Sequence, residues 1–182
     1  MTLDRPVTEQ PFLELCAMTE PKPKLHFMCG KAGAAKSTLA KKIASAEKAF
    51  LFSEDIFLTR LYGIEMKSFD DYLVFSKRLK NVIEPLVIDL LLAEHSVVLD
   101  FPANTMKSRE WFRSIFSYAN TSHQLHFIDM PDSICLERIA ERNINLPEGS
   151  HQLTVEQFNY ITSFFESPKS FEGFNIRTYF QD

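Results

Sequence analysis

An apolar run, Phe27-Met28-Cys29, passes into Gly30-Lys31-Ala32-Gly33-Ala34-Ala35, and Lys36-Ser37-Thr38 then opens a helical stretch. A loop free of bulky side chains lets several backbone N–H groups converge on one anion. The helix N-terminus adds its partial positive charge and Lys36 adds a full one. This is the pattern of a phosphate cradle, in which the Ser37 hydroxyl is placed to hold Mg²⁺ on the β- and γ-phosphates.

The match to G-x-x-x-x-G-K-[ST] departs at one position, where Ala35 replaces the last glycine. A methyl group there is small, but it disfavours backbone conformations that glycine reaches cheaply. The competing reading is a small-residue connector between a strand and a helix. The flanks favour the cradle: Leu25 to Cys29 reads as a buried strand, and Ser37 to Ala46 as a good helix.

The 182 residues suffice for one domain with a substantial core. A net charge of −4 supplies no global basic field, which argues against a protein that coats long nucleic acid. Cys16, Cys29 and Cys135 are odd in number and widely spaced, so reduced thiols are expected rather than a disulfide or zinc framework. The five histidines show no ligand spacing, and His26 and His126 fall inside expected strands. No apolar run reaches membrane-spanning length and the N-terminus lacks a signal-peptide plan, so a cytoplasmic protein is expected.

Residues 1–23 read as an N-terminal extension with a helix from Thr8 to Met18, and residues 24–182 as one domain. Ala49 to Phe52 reads as a second strand delivering Ser53-Glu54-Asp55. A long helical region follows from Phe69 to Glu94, in which Pro85 predicts a kink or break. Ser96 to Asp100 is the clearest buried strand. Lys107 to Tyr118 reads as helix, Leu125 to Asp129 as strand, Ser133 to Arg142 as helix, Thr154 to Phe165 as helix and Phe174 to Phe180 as the last strand. Alternating strands and helices imply an α/β fold, with a parallel sheet covered on both faces and ligands at the carboxyl ends of its strands.

Asp55, Asp100 and Asp129 close strands and so face the crevice of the loop. Asp100 suits a carboxylate that orients Mg²⁺ or its waters, against the reading of a strand-end turn residue. Asp55 suits a general base beside the γ-phosphate, against an N-cap for a helix starting at Ile56. For Asp129 a turn or cap is the better reading. Arg138 and Arg142 share one helix face, where an external anion would relieve their repulsion. The alternative is a solvated face with Arg138 paired to Glu141. Asn104 and Thr105 offer hydrogen bonds to a substrate, although Thr105 could instead cap the next helix. Arg109, in that helix's first turn, carries the disfavoured sign for an N-terminus and hints at an anionic partner. Lys77, Arg78 and Lys80 read as a solvated basic face rather than a nucleic-acid patch.

In this order, these segments resemble the small P-loop kinases grouped with zeta toxin, chloramphenicol phosphotransferase and polynucleotide kinase. More narrowly, C-G-K-x-x-x-x-K-S-T, S-E-D, V-V-L-D-F-P-A-N-T and E-x-x-x-R-N resemble bacterial "AAA family ATPase" proteins over approximately residues 24–180. The resemblance implies a three-layer, adenylate-kinase-like fold with strand order 2-3-1-4-5, and Mg²⁺-ATP as phosphate donor. Gly30, Lys31, Ala32, Gly33, Ala34 and Ala35 would form the loop. Lys36 would hold the β- and γ-phosphates, Ser37 the Mg²⁺ and Thr38 the α-phosphate. Asp55 would be the base, Arg138 and Arg142 the lid arginines, and the turn from Ser167 to Gly173 the adenine-side loop. Besides Ala35, the chain departs in having no further arginine in Asn143-Ile144-Asn145-Leu146-Pro147.

The expected function is an ATP-dependent phosphotransferase acting on a hydroxyl of a small molecule. Asp55, Lys36, Arg138 and Arg142 are the catalytic candidates, Ser37 and Asp100 the metal ligands, and Asp55, Asn104 and Arg109 the acceptor contacts. The alternatives are a nucleotide-binding regulatory module, a nucleic-acid-end kinase, and a toxin acting on nucleotide sugars. The acceptor and the choice of ATP over GTP are not written in the sequence.

Overall fold

A computed structural model describes residues 22–180. The expected helix from Thr8 to Met18 lies outside the described residues. The element order is β1 (Lys24–Cys29), α1 (Lys36–Glu47), β2 (Phe50–Ser53), α2 (Glu54–Tyr62), α3 (Phe69–Leu92), β3 (Val97–Pro102), α4 (Met106–Tyr118), β4 (Ser122–Ile128), α5 (Asp132–Asn145), α6 (Val155–Thr162) and β5 (Ile176–Tyr179). The five strands form one parallel sheet in the order β2-β3-β1-β4-β5, as the resemblance implied.

Alternation along the central strand builds two cores. Leu25, Phe27 and Cys29 face one side with Val97, Leu99 and Leu125. There they meet Leu79, Ile83, Val87 and Leu91 of α3 and Phe112, Ile115 and Phe116 of α4. Met28 faces the other side, against Ala40 and Ala44 of α1, Cys135 and Ile139 of α5 and Phe158 of α6. The period of two in the strand thus decides which helices lie on which face. Alanines at positions 40 and 44 let α1 lie close to the sheet. Each fully buried leucine or phenylalanine contributes about 2 kcal/mol against the entropy of ordering the chain.

Local chemistry sets the helix starts. Ser68 Oγ accepts the Asp71 N–H at 3.1 Å while Asp71 Oδ2 accepts the Ser68 N–H at 2.9 Å, a reciprocal cap for α3. Thr105 and Ser108 do the same for α4, so the capping reading of Thr105 holds. Pro85 does not break α3. It lies on the exposed side, as does Asn81, whose carbonyl loses its helical donor where water can replace it. α6 ends earlier than expected, and β5 is shorter because it pairs only with Leu125 to Ile128 of β4. Among the described residues, no helix is long and apolar enough to cross a membrane.

Candidate functional site

The end of β1 turns into the small-residue loop at the middle of the sheet's carboxyl edge. Gly30 has no room for a side chain, since a Cβ would lie 2.9 Å from the Ile128 carbonyl oxygen. Gly33 is more crowded still. At φ 76° its Cβ would sit 2.3 Å from the Cys135 carbonyl oxygen, so the loop packs on the first turns of α5. Ala34 donates its N–H to the Lys31 carbonyl at 3.2 Å. Ala35 stands immediately before α1 at φ 70°, ψ 29°. The alanine therefore occupies the left-handed conformation that the replaced glycine would reach without strain.

Lys36, Ser37 and Thr38 form the first turn of α1, where backbone N–H groups lack helical partners and face outward from the loop. Ser37 and Thr38 are both exposed to solvent. Lys36 Nζ curls over the loop and donates to the carbonyls of Gly30 and Lys31 at 2.7 and 2.9 Å. Desolvation pulls its proton affinity below the ordinary lysine value, and the negative charges of Asp100 and Asp55 oppose that pull. Lys31 pairs with Asp132 at the start of α5.

Strand pairing brings the acidic groups to this cradle. Ser53 lies opposite Asp100 in the β2–β3 register and donates its hydroxyl to Asp100 Oδ2 at 3.2 Å. The β1–β3 register shifts between Phe27, which pairs with Leu99, and Met28, which pairs with Pro102. Asp100 sits in that irregularity, and β3 runs on past it to Pro102, beyond the expected strand end. Asp55 follows in the first turn of α2, exposed at the cleft but crowded by protein behind it. That crowding, with the charges of Glu54 and Asp100, pushes its carboxyl up to about 6, while Lys36 and Arg142 draw it the other way. Asp129 lies at the other side of the loop, exposed, and its N–H donates to the Tyr179 carbonyl at 2.9 Å, which carries the β4–β5 pairing one step past Ile128 rather than forming a turn or cap.

Arg138 and Arg142 lie on one side of α5. Arg138 keeps one terminal guanidinium nitrogen, and Arg142 its Nε, enclosed and without a hydrogen-bond partner among the described residues. These donors suit an anion. Beyond α5, Gly149 rests on the first turn of α2, where a Cβ would lie 3.1 Å from Ile56 and 3.3 Å from the Asp55 carbonyl carbon. Glu148 holds that contact through Arg60, Nε to Oε1 at 2.7 Å and NH2 to Oε2 at 3.2 Å.

Two of the expected acceptor contacts serve other purposes. Arg109 is fully buried and reaches no cleft. It donates to Glu172 from Nε at 2.6 Å and from NH2 at 3.0 Å, and its NH1 reaches the carbonyls of Ala103 and Glu166 at 2.9 Å each. The anion that its sign announced is internal. Asn104 Oδ1 accepts the Gly30 N–H at 3.0 Å and its carbonyl accepts the Glu166 N–H at 2.9 Å, so it braces the loop. The turn from Ser167 to Gly173, expected on the adenine side, packs on α4 through Glu172. An open cavity of about 400 Å³ lies against Lys31, Asp129, Met130, Pro131 and Phe180. Of the basic cluster, Arg78 lies 5.7 Å from the Phe75 ring and Lys80 5.3 Å from the Trp111 ring, engaged with the protein's own aromatics.

The residues present fit a magnesium nucleotide. Mg²⁺ is commonly held by one or two protein oxygens plus phosphates rather than by a protein cage. Among the described residues there is no group of three or more histidine, cysteine and acidic side chains that could hold a metal alone. The sequence reading missed Glu54, which is buried beside Asp55 in contact with Tyr72 and Ser76. The only hint in the sequence is the four-residue spacing of Tyr72 and Ser76 on α3.

A family model described as an AAA domain matches residues 25–168. No curated protein matches the chain in sequence. Among solved structures, a candidate kinase from Chloroflexus aurantiacus is similar at 16% identity and a TM-score of 0.70, over 88% of this chain and 89% of that one. Kti12 from Chaetomium thermophilum, solved with ADP-AlF3, is 14% identical with a TM-score of 0.63, over 86% and 88%. The APS kinase CysC from Mycobacterium tuberculosis, solved with AMPPNP and APS, is 17% identical with a TM-score of 0.55, over 90% and 91%.

Proposed function

The chain belongs to the AAA-domain family, and from that premise we propose that it transfers the γ-phosphoryl group of ATP to a hydroxyl of a small molecule. The observation that carries this reading is the Asp55 carboxylate, open to the cleft in the same crevice as the phosphate loop and raised to about 6. A regulatory nucleotide switch needs no proton acceptor beside the γ-phosphate; a phosphotransferase does.

In this reading the N–H groups of the loop and of the first turn of α1 that have no internal partner, with the Lys36 ammonium, hold the triphosphate. Ser37 and Asp100 are the residues that would hold Mg²⁺, which when bound neutralises charge on the β- and γ-oxygens. Asp55 takes the proton of the acceptor hydroxyl as its oxygen bonds to the γ-phosphorus. The bond from that phosphorus to the β–γ bridging oxygen breaks, and ADP leaves with the electron pair. Arg138 and Arg142 stabilise the charge spread over the transferring group. The protein's work is positioning and charge neutralisation. The engagement of Arg78 and Lys80 with Phe75 and Trp111 favours a small acceptor over a nucleic-acid end.

The experiment is calorimetric titration with ATP and GTP, each with and without Mg²⁺, with Lys36→Ala as control, followed by a screen for phosphate transfer from the nucleotide that binds. Metal-dependent binding lost in the variant, with transfer to a hydroxyl compound, is the expected result. No binding at millimolar nucleotide would sink the reading.

A further inference from the structure

Two carboxylates stand side by side at the start of α2, and they face opposite ways. Asp55 is open to solvent, whereas Glu54 is 1% exposed. Withdrawing an ionised carboxylate from water is costly unless partners replace the lost hydration. Among the described residues no ion pair forms at Glu54. Its partners are two hydroxyls of α3: Tyr72 donates to Oε2 at 2.8 Å and Ser76 to Oε1 at 2.6 Å. Tyr72 and Ser76 are four residues apart, so they present from one side of α3, and each grips one oxygen.

An apolar side chain at position 54 would also hold α2 on α3, without the cost of burying charge. Two directional hydrogen bonds add a fixed rotation, because they weaken steeply with angle, whereas apolar contact tolerates sliding. The grip continues outward. Tyr72 stacks on Phe69 at 5.7 Å between ring centroids, and Phe69 meets Tyr160 of α6 edge-on at 6.2 Å. The side chain whose direction depends most closely on that rotation is the next in the chain, Asp55.

We propose that Glu54, gripped by Tyr72 and Ser76, is a positioning residue that sets the rotation of the first turn of α2 and thereby aims the Asp55 carboxylate into the cleft. The proposal rests on the reading of Asp55 as proton acceptor. It makes α3 and Asp55 one rigid unit, so that any movement of α3 carries the carboxylate with it.

The test uses the full chain at pH 8, with ATP as donor and water as probe acceptor, beside amide hydrogen exchange of residues 54–57. Glu54→Met is expected to speed that exchange about 10-fold, the scale of a lost hydrogen bond to a charged group. It should lower kcat about 10-fold or more with KM for ATP within twofold, since misaimed groups cost rate rather than nucleotide affinity. Glu54→Gln keeps the shape and can bond both hydroxyls, so it should restore protection and most of kcat. Tyr72→Phe, which removes one O–H and keeps the ring, gives an intermediate result even if Glu54→Met fails to fold. Unchanged exchange in Tyr72→Phe, a loss that Glu54→Gln does not restore, or a loss appearing in KM would overturn the proposal. If Asp55→Asn hydrolyses ATP at the wild-type rate, the proton-acceptor reading fails; in that case, or if the wild type does not use water as acceptor, the exchange comparison still judges the grip.

Discussion

The guanidinium of Arg109 and the carboxylate of Glu172 meet in a two-pronged pair, 0% and 5% exposed, between α4 and the turn before β5. Glu172 is held below the ordinary carboxylate range: burial raises it, but the hydrogen bonds from Arg109 and the Lys169 N–H outweigh that rise. The pair closes around Ala103 and Glu166, whose carbonyls complete the arginine's bonding. Removing one member leaves the other buried and unpaired, which costs about 3–5 kcal/mol. Arg109→Met is therefore expected to lower unfolding stability by that order in urea denaturation while the folded protein's affinity for ATP stays within twofold. An affinity loss with stability intact would return Arg109 to the substrate contacts.

Ala35 sits at φ 70°. A left-handed alanine costs about 1–2 kcal/mol, of which glycine recovers part, because its unfolded chain has more freedom to lose. Ala35→Gly should raise stability by about 0.5–1 kcal/mol and the melting temperature by about 1–4 °C for a chain of this size. A lower melting temperature would show that the alanine methyl makes contacts worth more than the strain.

Gly33→Ala tests the same loop from its packed side. The added methyl meets the Cys135 backbone at 2.3 Å with no flexible side chain to yield, and φ is 76° there. The loop must leave α5 to accommodate it. The expected outcome is a stability loss of about 3 kcal/mol or more, on the scale of overpacking plus a strained backbone. Nucleotide binding should fall below detection in calorimetry. A variant as stable as the parent would mean that the loop floats free of α5.

The parts of the fold legible in the sequence are those governed by local rules. The alternation of Leu25, Phe27 and Cys29 with His26 and Met28 announces a strand covered on both faces, and the small residues ahead of Lys36 announce a loop that opens a helix. Asp55 could be placed beside the loop because parallel strands all deliver their carboxyl ends to one edge, whereas Asp100 lies inside β3, which runs on to Pro102. Arg109 is misread from sequence because position in a helix's first turn says nothing of what lies sixty residues away; its partner Glu172 is set by tertiary packing alone. Asn104 reads as a substrate contact for the same reason, since its bond to Gly30 spans separate strands. Glu54 escapes notice because a glutamate beside an aspartate at a helix start looks like ordinary N-terminal charge. Only the packing of α3 reveals that one of the two is buried.

With Asp55 acting as a base, phosphate transfer should rise with pH along an acid limb centred on about 6, the value to which burial and neighbouring charge raise its carboxyl. Burial is the largest cause and the Glu54 charge the next, so Glu54→Gln should move the limb to lower pH. At a pH of about 5.5, just below that midpoint, a larger fraction of its maximal rate should remain than in the wild type. The pH profiles of kcat for the two proteins decide this. A limb that does not move would remove Glu54 from the electrostatics of the base.

The same carboxyl links activity to stability, with a sign that can be worked out. Asp55 is raised above its ordinary value of 3.8 to about 6 in the folded chain, so between those pH values the folded state binds more protons than the unfolded one. Stability contributed by the protonated group is present below the ordinary value and declines as pH rises through about 6. Above that, both states carry the charge and the folded state bears its full penalty. Solvent at the open tip of Asp55 screens part of the effect. Asp55→Asn removes the penalty, so its melting temperature should exceed that of the wild type at a pH of about 8, with the gain shrinking as pH falls toward about 4. Its phosphate transfer should drop about 100-fold or more, within the range that general-base catalysis contributes. A variant that loses transfer and also melts earlier in alkaline buffer would mean that the aspartate holds the first turn of α2 together, as an N-terminal charge does, rather than waiting there under strain for a proton.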